Sequence, residues 1–167
     1  MRSSLSAAEQ KKLPFYRMRF LVPALLVMCV CLGCSRTDDT SGDQLGTIAV
    51  TLPGGTEIRA EVLTKPADME HGMMYRDALP QGRGLLFVHQ KPAYLRYWMA
   101  NVKAPLDIIF MDENHKIMEI SPDTPICTTK PEDCLTYGGH HLEQYVLELR
   151  AGEAQRLDLH EGQTLRF

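Results

Sequence analysis

Tyr97-Trp98-Met99-Ala100-Asn101-Val102-Lys103-Ala104-Pro105-Leu106-Asp107-Ile108-Ile109-Phe110 is the stretch on which the reading of the fold turns. It joins an aromatic run, which holds the chain's single tryptophan, to a strongly apolar run across a short polar turn. The two runs predict neighbouring strands and their turn in the middle of a curved sheet. Asp107 lies inside the apolar run, where a charge is costly unless it is paired. Two readings fit that residue. In the first, Asp107 pairs with Arg76 or accepts backbone N–H groups, and Trp98 belongs to the core. In the second, Trp98 floors a shallow pocket where Arg76, Asn101 and Asp107 orient a small polar ligand.

Outward from this centre, strands dominate. Ile48–Leu52 and Glu57–Leu63 alternate polar and apolar residues on either side of Pro53-Gly54-Gly55, the pattern of a hairpin. Pro66 suits the first turn of a helix, because its missing N–H costs nothing there. That helix is expected to run from Thr64 or Lys65 to about Tyr75-Arg76. Leu85–Val88 reads as a fully apolar strand broken at Lys91-Pro92, and Tyr94–Met99 as the next strand. Lys116–Ile120 and Tyr145–Leu149 add further strands, Ala151–Leu157 a short helix, and Thr164–Phe167 a last strand. The result is an α+β domain with a mainly antiparallel, curved or barrel-like β-sheet and one or two short helices.

The N-terminal part has a different character. Arg17 and Arg19 precede the apolar stretch Phe20–Leu32, which ends in Gly33-Cys34 before polar residues resume. A basic region, a short apolar region and a small residue before the cut form a secretory signal. The apolar stretch is shorter than the roughly 20 residues a conventional span requires. Cys34 after Gly33 resembles the lipobox of bacterial lipoproteins, although Cys31 and Leu32 stand where that box has Leu and a small residue. The resemblance implies a signal peptide over 1–33 (Met18 being an alternative start) and lipidation of Cys34. Residues 34–46 follow as a polar, flexible tether, and 47–167 as the domain. Ser35 after the cysteine implies the periplasmic side of the outer membrane in a cell that has one. Membrane contact is then expected through the lipid.

Residues 1–34 carry five basic side chains and one acidic. Taking these from the chain's 18 and 21 leaves 13 basic and 20 acidic beyond residue 34. An acidic domain without a basic stripe argues against a nucleic-acid partner.

Several segments occur together in an order that resembles the family DUF192, also called UPF0127. They are Gly72-Met73-Met74-Tyr75-Arg76, Gly84-Leu85-Leu86-Phe87, Trp98-Met99-Ala100-Asn101, Pro105-Leu106-Asp107-Ile108-Ile109-Phe110 and Tyr145-Val146-Leu147-Glu148-Leu149-Arg150-Ala151-Gly152. The turn departs from the family pattern, with Ala100 and Val102 where Lys and Thr are usual. The resemblance covers about residues 47–167 and implies a small α+β domain, often secreted, with no established enzyme activity.

The chemistry-bearing residues are few. Cys127 and Cys134, an even pair in an exported chain, favour a disulfide; the alternative is a two-thiolate metal site. In the chain-entropy view, closing so short a loop contributes roughly 2–3 kcal/mol. The bridge would hold Tyr137, a further ligand-binding candidate, and His140-His141 near the domain. Met69, Met73, Met74, Met99, Met111 and Met118 with His71 and His89 invite a copper reading, since thioethers suit Cu(I); methionine is equally a filler of apolar cores. No cofactor is implied. The Gly-x-Ser-x-Gly elbow, the phosphate-binding Gly-Lys-Ser/Thr loop and His-Glu-x-x-His are all absent from the sequence. The expectation is therefore a non-enzymatic, membrane-tethered binding module of the cell envelope. The alternatives are an envelope polysaccharide hydrolase using Asp107 and Glu148 as paired carboxylates, and copper handling.

Overall fold

A computed structural model describes residues 46–167. The expected signal peptide, Cys34 and most of the tether lie outside the described residues.

The hairpin forms as expected. β1 (Thr47–Thr51) and β2 (Glu57–Leu63) pair antiparallel, with Leu52 and Thr56 bonded across the turn. α1 (Pro66–His71) follows and is shorter than expected. Gly72 ends it at a φ of 44°, a region glycine enters readily. Beyond it Met74 bridges Val102, and the Tyr75 N–H donates to the Asn101 carbonyl, so the turn after Trp98 holds Met74 and Tyr75 outside the helix.

β3 (Arg83–Ala93) runs parallel to β2 and continues through Lys91-Pro92. Its pairing with the later strand β8 (Glu143–Arg150) shifts register between Val88 and Ala93. An irregularity of that kind accommodates a residue without an N–H. β5 (Leu106–Met111) lies between β8 and β6 (Ile117–Thr124). The six strands form one mixed sheet in the order β1-β2-β3-β8-β5-β6, antiparallel except at β2–β3. The α+β class stands, but the sheet is open, with β1 and β6 at its edges.

The largest departure concerns the opening stretch. β4 (Arg96–Trp98) does not neighbour β5; it pairs with β7 (Thr136–Gly138) in a separate two-stranded ribbon. Trp98 is 41% exposed and is not a core residue. α2 (Glu153–Arg156) replaces the longer helix expected over 151–157, and the last residues make isolated bridges at Thr164 and Arg166 rather than a strand.

β5 explains why its sequence reads as a continuous apolar run: all six residues are buried, with both faces covered. Ile109 and Met111 join Val50, Leu86, Leu147, Leu149, Ala154 and Leu165 on the face beneath α2 and the C-terminal segment. Leu106, Ile108 and Phe110 join Leu63, Met73, Phe87, Met99 and Val146 on the other. Burying a side chain of this size stabilises the fold by about 1.5–3 kcal/mol. Gly138 brings the ribbon close to that second face, since a Cβ there would lie 2.5 Å from the Phe110 ring.

Candidate functional site

The two acids embedded in apolar strands have opposite fates. Asp107 is in register with Leu149, whereas Glu148 is in register with Ile108 on one side and Leu85 on the other. Side chains alternate along a strand, so Asp107 and Glu148 point to opposite faces of the sheet. They cannot act as a pair across one substrate, and the hydrolase arrangement expected of them does not form.

Asp107 is fully buried and fully engaged. Oδ1 accepts from the Asp123 N–H at 2.8 Å and the Gly152 N–H at 3.2 Å, and Oδ2 from the Ala154 N–H at 2.7 Å. It ties β5 to the end of β6 and to the start of α2. A groove of about 690 Å³ passes it, walled by Ile120, Pro122, Ala154 and Leu159. The Arg76 partner foreseen for Asp107 is engaged elsewhere: its Nη2 donates to both Glu61 carboxylate oxygens, at 2.8 and 2.7 Å.

Glu148 is buried, 5% exposed, and Oε2 has no hydrogen-bond partner among the described residues. Its strand neighbours Leu85 and Ile108 are completely buried. Burial pushes its carboxyl up to about 8, and the positive charge of Arg76 opposes that rise without abolishing it. Gly84 permits the close approach of β3 to β8 here, because a Cβ at 84 would stand 2.9 Å from the Glu148 carbonyl oxygen.

Glu148 also lines a small cavity of about 30 Å³, together with Met69, Met73, Met74, Phe87, Tyr97 and Trp98. That is room for one or two water-sized groups. The Tyr97 ring is fixed edge-on to Phe87 and Phe110, at centroid distances of 5.0 and 5.8 Å. Its hydroxyl is 3.0 Å from His89 Nε2. Burial first, and the nearby Glu148 charge second, raise the Tyr97 hydroxyl well above its ordinary range, so it keeps its proton. Burial lowers His89, which favours the neutral imidazole.

Of the residues singled out from sequence, the cavity gathers only some. Trp98 lines it, and Arg76 acts on Glu148 through its charge. Asn101 is exposed at a φ of 58°; its neighbours Ala100 and Val102 line the cavity, and its Nδ2 lies 4.0 Å from Met74 Sδ. Tyr137 is paired with Tyr97 across the ribbon and packs on the second core cluster. Asp107 belongs to the opposite face. Phe87 and Tyr97, which sequence reasoning did not select, complete the wall. The available signal was the alternation of Tyr145-Val146-Leu147-Glu148-Leu149, which places Glu148 on the Val146 face.

Cys127 and Cys134 form a disulfide, with their Cα atoms 5.6 Å apart, which removes the two-thiolate metal alternative. The Cys127 N–H donates to the Met99 carbonyl at 3.4 Å, fastening this loop beside Trp98. Of the copper set, Met69, His71, Met73 and Met74 line the small cavity, whereas Met111 packs under the first face, Met99 under the second, and His89 is bonded to Tyr97. Among the described residues no group of three His, Cys, Asp or Glu is placed to hold a metal ion.

The family model of DUF192, described as an uncharacterized ACR, matches residues 49–167. Two solved structures share the fold. One is a Sinorhizobium meliloti 1021 protein named as a candidate transcription regulator, 25% identical, with a TM-score of 0.68 over 75% of this chain and 97% of that one. The other is a Novosphingobium aromaticivorans DSM 12444 protein of unknown function, 28% identical, with a TM-score of 0.65 over 77% and 89%. No curated protein matches the chain.

Proposed function

The chain belongs to the DUF192 family, and we propose that it is a binding module tethered to the cell envelope, taking a small polar ligand in the cavity that Glu148 lines. One observation carries the reading. Glu148, whose buried Oε2 has no hydrogen-bond partner among the described residues, is one of the residues lining an aromatic-walled cavity. An unmade hydrogen bond of this kind costs about 1–3 kcal/mol, more when the group is charged. A leucine at that position would spare the fold the penalty, whereas a ligand that bonds the carboxyl offsets it. The signal-like segment before Cys34 supports the tether, and the polar residues after it provide reach.

Trp98, the only tryptophan, lines the cavity and is its natural reporter. The test is a fluorescence titration of the full chain with small alcohols, amides, carboxylates and alkylamines. Saturable change with at least one class, lost in Glu148→Gln, is the expected result. Equal responses from the native chain and Glu148→Gln would overturn the assignment of the site.

A further inference from the structure

We infer that the group seated on Glu148 is a primary ammonium, an inference that rests on the binding reading above and names its ligand class. Three features converge on it. The cavity admits a head no larger than one or two water-sized groups, which suits –NH3⁺ and excludes a quaternary ammonium. Its lining includes one buried acid, Glu148, whose Oε2 has no hydrogen-bond partner among the described residues. Its walls carry the aromatic groups of Phe87, Tyr97 and Trp98 beside methionine sulfurs. Aromatic π-systems attract cations, more strongly when desolvated. They offer nothing comparable to an anion, and an anionic head would meet Glu148 itself.

Surrounding charges leave this preference intact. The positive charge of Arg76 reaches Glu148 and opposes the rise of its carboxyl only in part, and because its guanidinium is held by Glu61 it does not line the cavity. His71 and Glu70 of α1 also line the cavity and are exposed to solvent. Tyr97 keeps its proton and spends its hydroxyl on His89. A hard divalent cation would require about six oxygen ligands, and one buried carboxylate does not supply them.

The proton balance gives the inference a signature. Near neutral pH the empty site holds the carboxylic acid. Seating an ammonium ion converts it to the carboxylate and releases one proton to solvent: Glu148–COOH plus R–NH3⁺ gives the ion pair plus H⁺. Affinity therefore rises with pH through the Glu148 titration and falls once the amine loses its own proton, near pH 10.

The experiment is calorimetric titration of the full chain, in nonionic detergent at fixed ionic strength, with ethylammonium, tetramethylammonium, ethanol and acetamide. Two buffers of different ionisation enthalpy report the protons exchanged, and Trp98 fluorescence reports occupancy. Ethylammonium is expected to saturate the site with release of up to one proton. Tetramethylammonium is expected not to bind, and Glu148→Gln to weaken ethylammonium about tenfold or more, the usual worth of a bond to a charged group. A near-ultraviolet spectrum matching the native one confirms that the variant is folded. Ethanol or acetamide saturating the site while ethylammonium does not would overturn the ammonium inference and leave the binding reading standing. Saturation by none of the four would overturn both.

Discussion

Asp107 and Glu148 lie on adjacent strands, one register position apart, and point to opposite faces of one sheet. The first is buried and accepts three backbone N–H groups; the second is buried and leaves an oxygen unbonded among the described residues. The same residue chemistry at the same depth therefore does two jobs. Asp107 stabilises the fold, whereas Glu148 carries an oxygen for which the described residues supply no partner.

Asp107→Ala should destabilise the domain by about 3 kcal/mol or more. It strands three N–H donors that now share one carboxylate, and each buried unsatisfied group costs about 1–3 kcal/mol. Asp107→Asn keeps an acceptor and should lose less. Denaturant unfolding of both variants checks the order. The Trp98 response to ligand should be unchanged in Asp107→Asn, because the two sites are on different faces.

Glu148→Gln should behave oppositely, and in a pH-dependent way. The Glu148 carboxyl is raised from 4.5 to about 8 in the folded chain. Below pH 4.5 both folded and unfolded chains hold the proton, and Glu148 exerts no pH-linked effect. From there to about pH 8 the unfolded chain ionises first, so the native protein loses stability as pH rises. Glu148→Gln removes that slope. Its advantage over the native chain should grow between pH 5 and 8 to a few kcal/mol, then level off, as read from unfolding midpoints across pH.

Gly138→Ala should destabilise the ribbon that carries Tyr97 and Trp98. The added Cβ would fall 2.5 Å from the Phe110 ring and 2.8 Å from the Leu95 carbonyl, at a φ of 80°. Overpacking alone typically costs about 1–3 kcal/mol, and the backbone conformation adds to it. A lowered unfolding midpoint and altered Trp98 emission are the expected outcomes.

Cys34→Ser should release the protein from the membrane fraction and remove the acyl mass from its N-terminus. Stable attachment takes more than one acyl chain, so loss of the acceptor thiol should be decisive in fractionation. Unchanged mass and unchanged partition would refute the anchor.

Much of the architecture was legible because burial leaves a direct trace in residue pattern. Leu106–Met111 is apolar throughout and proved to be buried on both faces. The β1–β2 hairpin was announced by Pro53-Gly54-Gly55. What escaped depends on contacts between distant residues. Nothing local assigns Arg96–Trp98 to Thr136–Gly138 rather than to its sequence neighbour β5. The helix was overextended because Met74 and Tyr75 suit a helix, while the Val102 bridge and the Asn101 carbonyl draw them out of it. The site was half legible. An acid among Val, Leu and Leu signals strain at Glu148 as clearly as at Asp107. Only the register separates the two acids onto opposite faces, and only the tertiary contacts show that Asp107 is answered by backbone N–H groups while Glu148 lines a cavity with Tyr97 and Trp98.

The central claim is that Glu148 is a buried, unanswered acid awaiting a ligand, and its own titration tests this most directly. The measurement is the carboxyl carbon resonance of Glu148 against pH, assigned by comparison with Glu148→Gln and recorded with and without ethylammonium. The account predicts a midpoint near 8 in the free protein, moving down when the ion is present. A midpoint near 4.5 that ethylammonium leaves unmoved would contradict it.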